Sequence, residues 1–247
     1  QYDRLDTYTG TPPLKVVKLI ISRAASKRQK GSKNWTRVLG LYDIVTAFWH
    51  AMMPEDEPIA VIPPKGEEFD YILWQLLKAM YGTRRASKLI AEFMVQVPAE
   101  AGYAALLVSR QVFYNAETDS LAALHGDDII VEAEPADLDK PDAALRAKVT
   151  VKIIDRVGPG AANMGRYLKR YISYVPGEGY EWNKDPSHVA ELLKNRNKSG
   201  AKPRTSLDSK DIGKNDPNGL DELGRSEQTQ YRSDSGRILY FASGRFD

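Results

Sequence analysis

The sequence predicts a mixed α+β protein whose strands are largely joined as hairpins. Two observations lead there. Apolar runs of strand length break at short polar tips, most clearly over 121–132, where Leu121 to Leu124 lead to His125 and Gly126, stop at Asp127 and Asp128, and resume with Ile129, Ile130 and Val131. Apolar segments on both sides of a small polar tip are the pattern of a β-hairpin. Elsewhere apolar residues recur at helical spacing, as Leu14, Val17, Ile20, Ile21 and Ala24 do.

In chain order, Thr11 before Pro12 and Pro13 is an N-cap followed by residues whose missing donors do no harm, and a helix is expected to about 27, then a loop over 30–34. A strand over 37–45 delivers Asp43 and gives way to helical turns through 52. An acidic turn at 54–57 precedes a short strand at 59–62, stopped by Pro63 and Pro64. A strand over 71–79 leads to Gly82. A helix from Arg84 to about 97 turns Leu89, Ile90, Phe93 and Met94 inward, and Pro98 ends it. Strands at 104–114 and 121–124 flank a polar turn, and 129–133 completes the central hairpin. A helix over 135–148, a strand over 149–154 and a loop at Gly158-Pro159-Gly160 follow. Residues 166–175 and 180–182 form a hairpin around Gly177 and Gly179. A helix begins at Asp185-Pro186-Ser187. From 195 to about 228 the chain has few large apolar residues and reads as a mobile linker, and a final helix covers about 226–243.

A chain of 247 residues can bury a sizeable core. It has no cysteine, which excludes disulfides and thiolate metal sites. The histidines, His50, His125 and His188, are scattered, against a histidine-rich zinc site. No apolar run approaches the ~20 residues of a membrane span, so no membrane partner is expected. The first residues lack the basic and apolar regions of a signal peptide, and an intracellular location is the expectation, with cytoplasmic particle and nucleus not distinguished. Net charge is +2, too small for a globally basic nucleic-acid binder. Over 14–37, however, Lys15, Lys18, Arg23, Lys27, Arg28, Lys30, Lys33 and Arg37 occur without an acid. Such a patch suits a phosphate backbone; a solvated helix face and loop explain it equally simply.

Asp127 and Asp128 at a hairpin tip repel each other, and burial disfavours their charged forms. A divalent cation with hard oxygen ligands relieves both costs. A plain polar turn is the competing explanation. A second carboxylate, Asp43, stands near the end of the apolar run Val38, Leu39, Leu41, with Phe48 five residues on.

Asp43-Ile-Val-Thr-Ala-Phe48, Leu77-Lys-Ala-Met-Tyr-Gly82-Thr-Arg-Arg-Ala86 and Gly126-Asp127-Asp128, in that order, resemble the reverse transcriptase of Ty1/copia-type LTR retrotransposons. The closing segment, Tyr231-Arg232, Gly236-Arg-Ile-Leu-Tyr240 and Ser243-Gly-Arg245-Phe-Asp247, resembles the same family, and the likeness runs from about Thr7 to the end. It implies a polymerase palm: an α+β fold of a twisted antiparallel sheet with packed helices, partial fingers and a small C-terminal extension. The expected divisions are 1–37 for the basic entry segment, 38–183 for the palm and 184–247 for the C-terminal helix, linker and terminal helix. The family's fingers hairpin would precede residue 1.

The implied activity is RNA-directed DNA synthesis by two-metal nucleotidyl transfer to a primer 3′-hydroxyl. By resemblance Asp43, Asp127 and Asp128 are the catalytic carboxylates and ligands of two Mg²⁺ ions, with Mn²⁺ as a substitute. Phe48 takes the position that packs against the sugar and excludes a 2′-hydroxyl, although by itself it reads as a core aromatic. Gly82 allows close backbone approach to nucleotide and template. Arg84 reaches phosphates or caps the turn into the helix. Arg23, Lys27, Arg28, Lys30 and Lys33 are the candidate nucleic-acid contacts. Implied partners are an RNA or DNA template with primer, dNTPs and other domains of a retroelement polyprotein. The alternatives are an inactive retroelement-derived fragment that at most binds nucleic acid, and a metal-dependent nuclease using the same carboxylates. The sequence departs from the family at His125 and Gly126, where an aromatic and a small apolar residue are usual, and at Leu168-Lys169, where the primer-grip region has Leu-Gly.

Overall fold

The computed structural model describes residues 12–26, 35–56, 58–64, 72–202 and 224–242. In order these form α1 (Leu14–Ser26), β1 (Val38–Ile44), β2 (Ala60–Val61), β3 (Trp74–Gln75), α2 (Ala86–Glu100), β4 (Ala104–Leu106), β5 (Ser109–Asn115), β6 (Ser120–His125), β7 (Asp128–Ala133), α3 (Asp139–Lys148), β8 (Val151–Val157), β9 (Met164–Tyr167), β10 (Arg170–Val175), β11 (Gly179–Lys184), α4 (Ser187–Asn195) and α5 (Arg225–Ala242). Short 3₁₀ turns occupy Ala47–His50 and Pro135–Leu138. The fold is α+β, with a largely antiparallel sheet and five α-helices among the described residues. The chain divides into two compact units, Gln1–Asn183 and Lys184–Asp247.

The main sheet runs β4-β5-β6-β7-β1-β8. β1 enters between β7 and β8, antiparallel to both, so the strand that carries Asp43 near its end is interior to the sheet. Both faces are covered. Val38, Tyr42, Ile44, Ile129, Val131, Leu124 and Phe113 pack with α2 and α3 residues such as Leu89, Met94 and Leu145. Leu39, Leu41, Ile130, Ala123 and Val112 pack with Val17, Ile20 and Ile21 of α1 and with Tyr167 and Ile172 of the β9–β10 hairpin. A sheet buried on both sides needs apolar residues at consecutive positions, which is why 121–124 and 129–131 read as unbroken runs. β9, β10 and β11 make a second sheet.

Several boundaries differ from expectation. The expected strand over 104–114 is two strands, β4 and β5, whose connecting residues Leu107 and Val108 are fully exposed. Apolar side chains at a turn hid it, because turn chemistry usually announces itself through Gly, Asn or Asp. The expected strand over 166–175 likewise breaks at Leu168 and Lys169, which take φ of 49° and 59° between the paired residues Tyr167 and Arg170. Two consecutive positive φ values are what a two-residue hairpin turn requires, and neither residue advertises them. α2 continues past Pro98 to Glu100, since a proline in the last turn forfeits little of the remaining ladder. The strand expected over 71–79 is only Trp74–Gln75, paired with Ala60–Val61.

In the second unit, α4 and α5 are joined by ion pairs, Arg196 Nε to Asp234 Oδ2 at 2.6 Å and Arg237 to Glu191 at 2.7 Å. The linker expectation for 203–223 lies outside the described residues. Among the described residues no helix is long and apolar enough to cross a membrane.

Candidate active site

The β6–β7 connection is a two-residue turn of Gly126 and Asp127, closed by the pair His125 and Asp128. Gly126 has φ +70°, and a Cβ there would meet nothing within 4 Å, so glycine is chosen for its backbone and not for space. The turn is held against β1 by the Ile44 amide, which donates to the Asp127 carbonyl at 2.9 Å. Asp43 and Asp128 are direct cross-strand partners of β1 and β7. Partners of this kind share a face with Cβ atoms about 5 Å apart. Lys152 of β8 is the partner of Asp43 on its other side.

The three carboxylates act on one another. Burial, then Asp127, then Asp43 push the Asp128 carboxyl up to about 6. The buried Tyr167 hydroxyl, which has no hydrogen-bond partner among the described residues, is raised by burial and by the Asp128 charge, which places it within electrostatic reach of that group. Among the described residues no three Asp, Glu or His side chains are already gathered in the geometry of a metal site. The donor set nonetheless suits one: two facing carboxylates, a third in the adjoining turn, and mutual repulsion that a cation would relieve. All-oxygen donors favour Mg²⁺ or Mn²⁺ over softer ions.

The strand carrying Asp43 is pinned at its neighbour. Tyr42 is fully buried and donates its hydroxyl hydrogen bond to Asp142 of α3, while Arg156 donates to the same carboxylate at 2.5 Å and to Asp139 at 2.8 Å. Beyond Ile44 the chain passes through Thr46 at φ 51°, an uncommon conformation for a branched residue, and then into the 3₁₀ turn that carries Phe48.

Phe48 is half-buried and meets Tyr81 edge-on, ring centroids 4.3 Å apart. Both rings line a cleft of about 210 Å³ with Ala47, Ser87, Ile90, Gln111 and, at the carboxylate end, Gly126 and Asp127. Gly82 follows Tyr81 with φ +88° and open space where a Cβ would stand. Arg84, two residues further on, is exposed. The structure therefore brings together Asp43, Asp127 and Asp128, and it places Phe48 in one cleft with Asp127, with Gly82 beside the Tyr81 wall.

Arg23 lies elsewhere. It donates to Asp119 Oδ1 at 2.9 Å and to Glu132 Oε2 at 3.2 Å. Asp119 belongs to the β5–β6 turn, at the opposite end of β6 from Gly126. Its guanidinium is thus engaged in an internal ion cluster at the far end of the sheet. Lys27, Arg28, Lys30 and Lys33 lie outside the described residues. Gln111 and Tyr81 are cleft residues that were not singled out in the sequence. The available signal was a lone amide in front of the apolar pair Val112-Phe113.

A scan of family models matches none to this chain, and a search of the curated proteins returns no match.

Proposed function

We propose that this chain is the palm, with partial fingers and a C-terminal extension, of an RNA-directed DNA polymerase of the Ty1/copia retrotransposon type. The observation that carries the reading is the pairing of Asp43 with Asp128 across β1 and β7, with Asp127 in the adjoining turn at the mouth of a cleft walled by Phe48. Asp43, Asp127 and Asp128 would hold two Mg²⁺ ions, or Mn²⁺ in their place. Such an ion pair supplies neutralisation of the charge that develops during in-line phosphoryl transfer and orients the attacking and leaving oxygens.

The chain's own residues position the substrates. Phe48 offers a ring edge to the sugar and leaves no room for a 2′-hydroxyl. Gly82 lets the backbone approach the nucleotide, and Arg84 is exposed to receive a phosphate. RNA or DNA template with primer, dNTPs and neighbouring polyprotein domains are the partners this function requires.

The reading predicts sugar selectivity. Wild-type chain is expected to add dNTPs in preference to rNTPs, and Phe48→Ala to relax that preference by about ten- to two-hundredfold, the range of a small steric difference in a pocket. Competitive incorporation on a primed RNA template measures it. A Phe48→Ala chain that still incorporates dNTPs with unchanged selectivity overturns the role of Phe48, and a folded wild-type chain that binds primer–template and adds no nucleotide overturns the polymerase reading.

A further inference from the structure

Tyr42 precedes Asp43 on β1 and is fully buried. Its ring lies back along the strand over Gly40, where a Cβ would come within 2.7 Å of the hydroxyl oxygen and 3.0 Å of the ring. A glycine inside an interior strand marks such a close approach. Gly40 is the cross-strand partner of Arg156 on β8, so ring and guanidinium stand side by side on one face of the sheet. Both end on Asp142 of α3. The Tyr42 hydroxyl donates to Oδ1, and Arg156 donates to Oδ2 at 2.5 Å. Asp139, one helical turn earlier, accepts a second bond from Arg156 at 2.8 Å.

Between these two contacts the β1–β8 register breaks. Leu41 pairs with Asp155 and Tyr42 with Ile153, which leaves Ile154 as the extra residue of a β-bulge one position before Asp43. A bulge bends its strand, raises the local twist and so re-aims the side chains that follow. A shift of this bulge by one residue would give Tyr42 the partner Ile154 and change the angle at which Asp43 meets Asp128. One carboxylate bonded to Tyr42 on one strand and to Arg156 on the other opposes that shift.

We propose that Asp142 is a positioning residue of the carboxylate centre: by accepting from Tyr42 and Arg156 together it locks the β1–β8 bulge and fixes Asp43 against Asp128 for a shared divalent cation. The assignment rests on the cation-binding reading of Asp43, Asp127 and Asp128. It does not depend on the ion serving nucleotide addition.

The test is calorimetric titration of the full chain with Mn²⁺ alone, well below the melting temperature of each variant. Tyr42→Phe and Asp142→Asn keep the side-chain volume and remove the donor and the charge, respectively. Each is expected to bind Mn²⁺ about tenfold more weakly than wild type, the lower end of the loss when a group that orients a ligand is removed. Leu145→Ala is the stability control. It truncates a buried side chain of the same helix, so it should melt lower than wild type and still bind Mn²⁺ as wild type does. A folded Tyr42→Phe or Asp142→Asn chain with wild-type Mn²⁺ affinity overturns the proposal. So does a Leu145→Ala chain that loses affinity to the same degree, which is the signature of loosened helix packing. A wild type that binds no Mn²⁺ overturns it together with the cation centre. If both clasp variants bind Mn²⁺ weakly, yet wild type cannot extend a primer, the polymerase reading falls and the Asp142 assignment stands. If wild type extends a primer and the variants hold Mn²⁺ as it does, the reverse is true.

Discussion

Asp43→Asn and Asp128→Asn are each expected to lower single-turnover primer extension by about 10³-fold or more, the scale of losing a group that acts at the reacting phosphate. The same changes should act in the opposite sense on stability. The Asp128 carboxyl is raised from 3.8 to about 6 by burial, Asp127 and Asp43. The folded chain therefore retains this proton over a window in which the unfolded chain has released it. Folding is penalised once the pH exceeds about 6, and the penalty fades as the pH falls toward 4. Allowing for its partial exposure to solvent, the penalty is on the order of 1–2 kcal/mol. Asp128→Asn should accordingly be more stable than wild type by about that amount near pH 8 and equal to it near pH 4. Urea denaturation across that range measures the difference. Millimolar Mg²⁺ should stabilise wild type and narrow the gap, because a bound cation removes the repulsion that the substitution removes. A wild type as stable as Asp128→Asn at every pH would contradict the clustering of the three carboxylates.

The second large effect concerns folding. Glu132 is fully buried on β7, at the end of the strand away from Asp128, and Arg37 is nearly so. Arg37 Nε lies 3.4 Å from Glu132 Oε1 and 3.4 Å from Glu134 Oε1, and its other nitrogens donate to the Thr118 carbonyl at 3.2 and 3.3 Å. Arg23 reaches Glu132 from α1. Burial raises the Glu132 carboxyl, and Arg37, then Arg23, oppose that rise. Arg37→Ala strands much of a buried charge, and a loss of about 3–5 kcal/mol is expected at neutral pH. The loss should be smaller at pH 5 than at pH 8, because Glu132 without Arg37 takes up a proton more readily and a neutral carboxyl needs no counter-ion. Denaturant unfolding of the single variants at both pH values checks this. A cost below about 1 kcal/mol at pH 8 would place the cluster among exposed ion pairs of little weight.

The site was more legible in the sequence than the edges of the fold. Asp127-Asp128 stood out because a doubly charged tip between buried runs is expensive, and Asp43 because a carboxylate near the end of an apolar strand is unusual. Their pairing across β1 and β7 was not legible, since register depends on contacts between residues 85 positions apart in the chain. The turns at Leu107-Val108 and Leu168-Lys169 were missed because the pairing of the flanking strands closes them, and the local residues do not signal it. The charge count at Arg23 and Arg37 misled for a related reason. The stretch 14–37 contains no acid, yet its partners Asp119, Glu132 and Glu134 arrive from about a hundred residues away. Gln111 was invisible as a cleft residue because an amide in a strand means nothing until its neighbours are known.

The central claim is that Asp43, Asp127 and Asp128 form one cation-dependent centre for nucleotide addition. Extension of a DNA primer on an RNA template, with dNTPs and Mg²⁺, tests it most directly when run beside an Asp127→Asn, Asp128→Asn chain and a chelator control. The account predicts template-directed lengthening by wild type that disappears in both controls. A folded wild type that binds primer–template and leaves it unextended, or extension that survives loss of both aspartates, would contradict it.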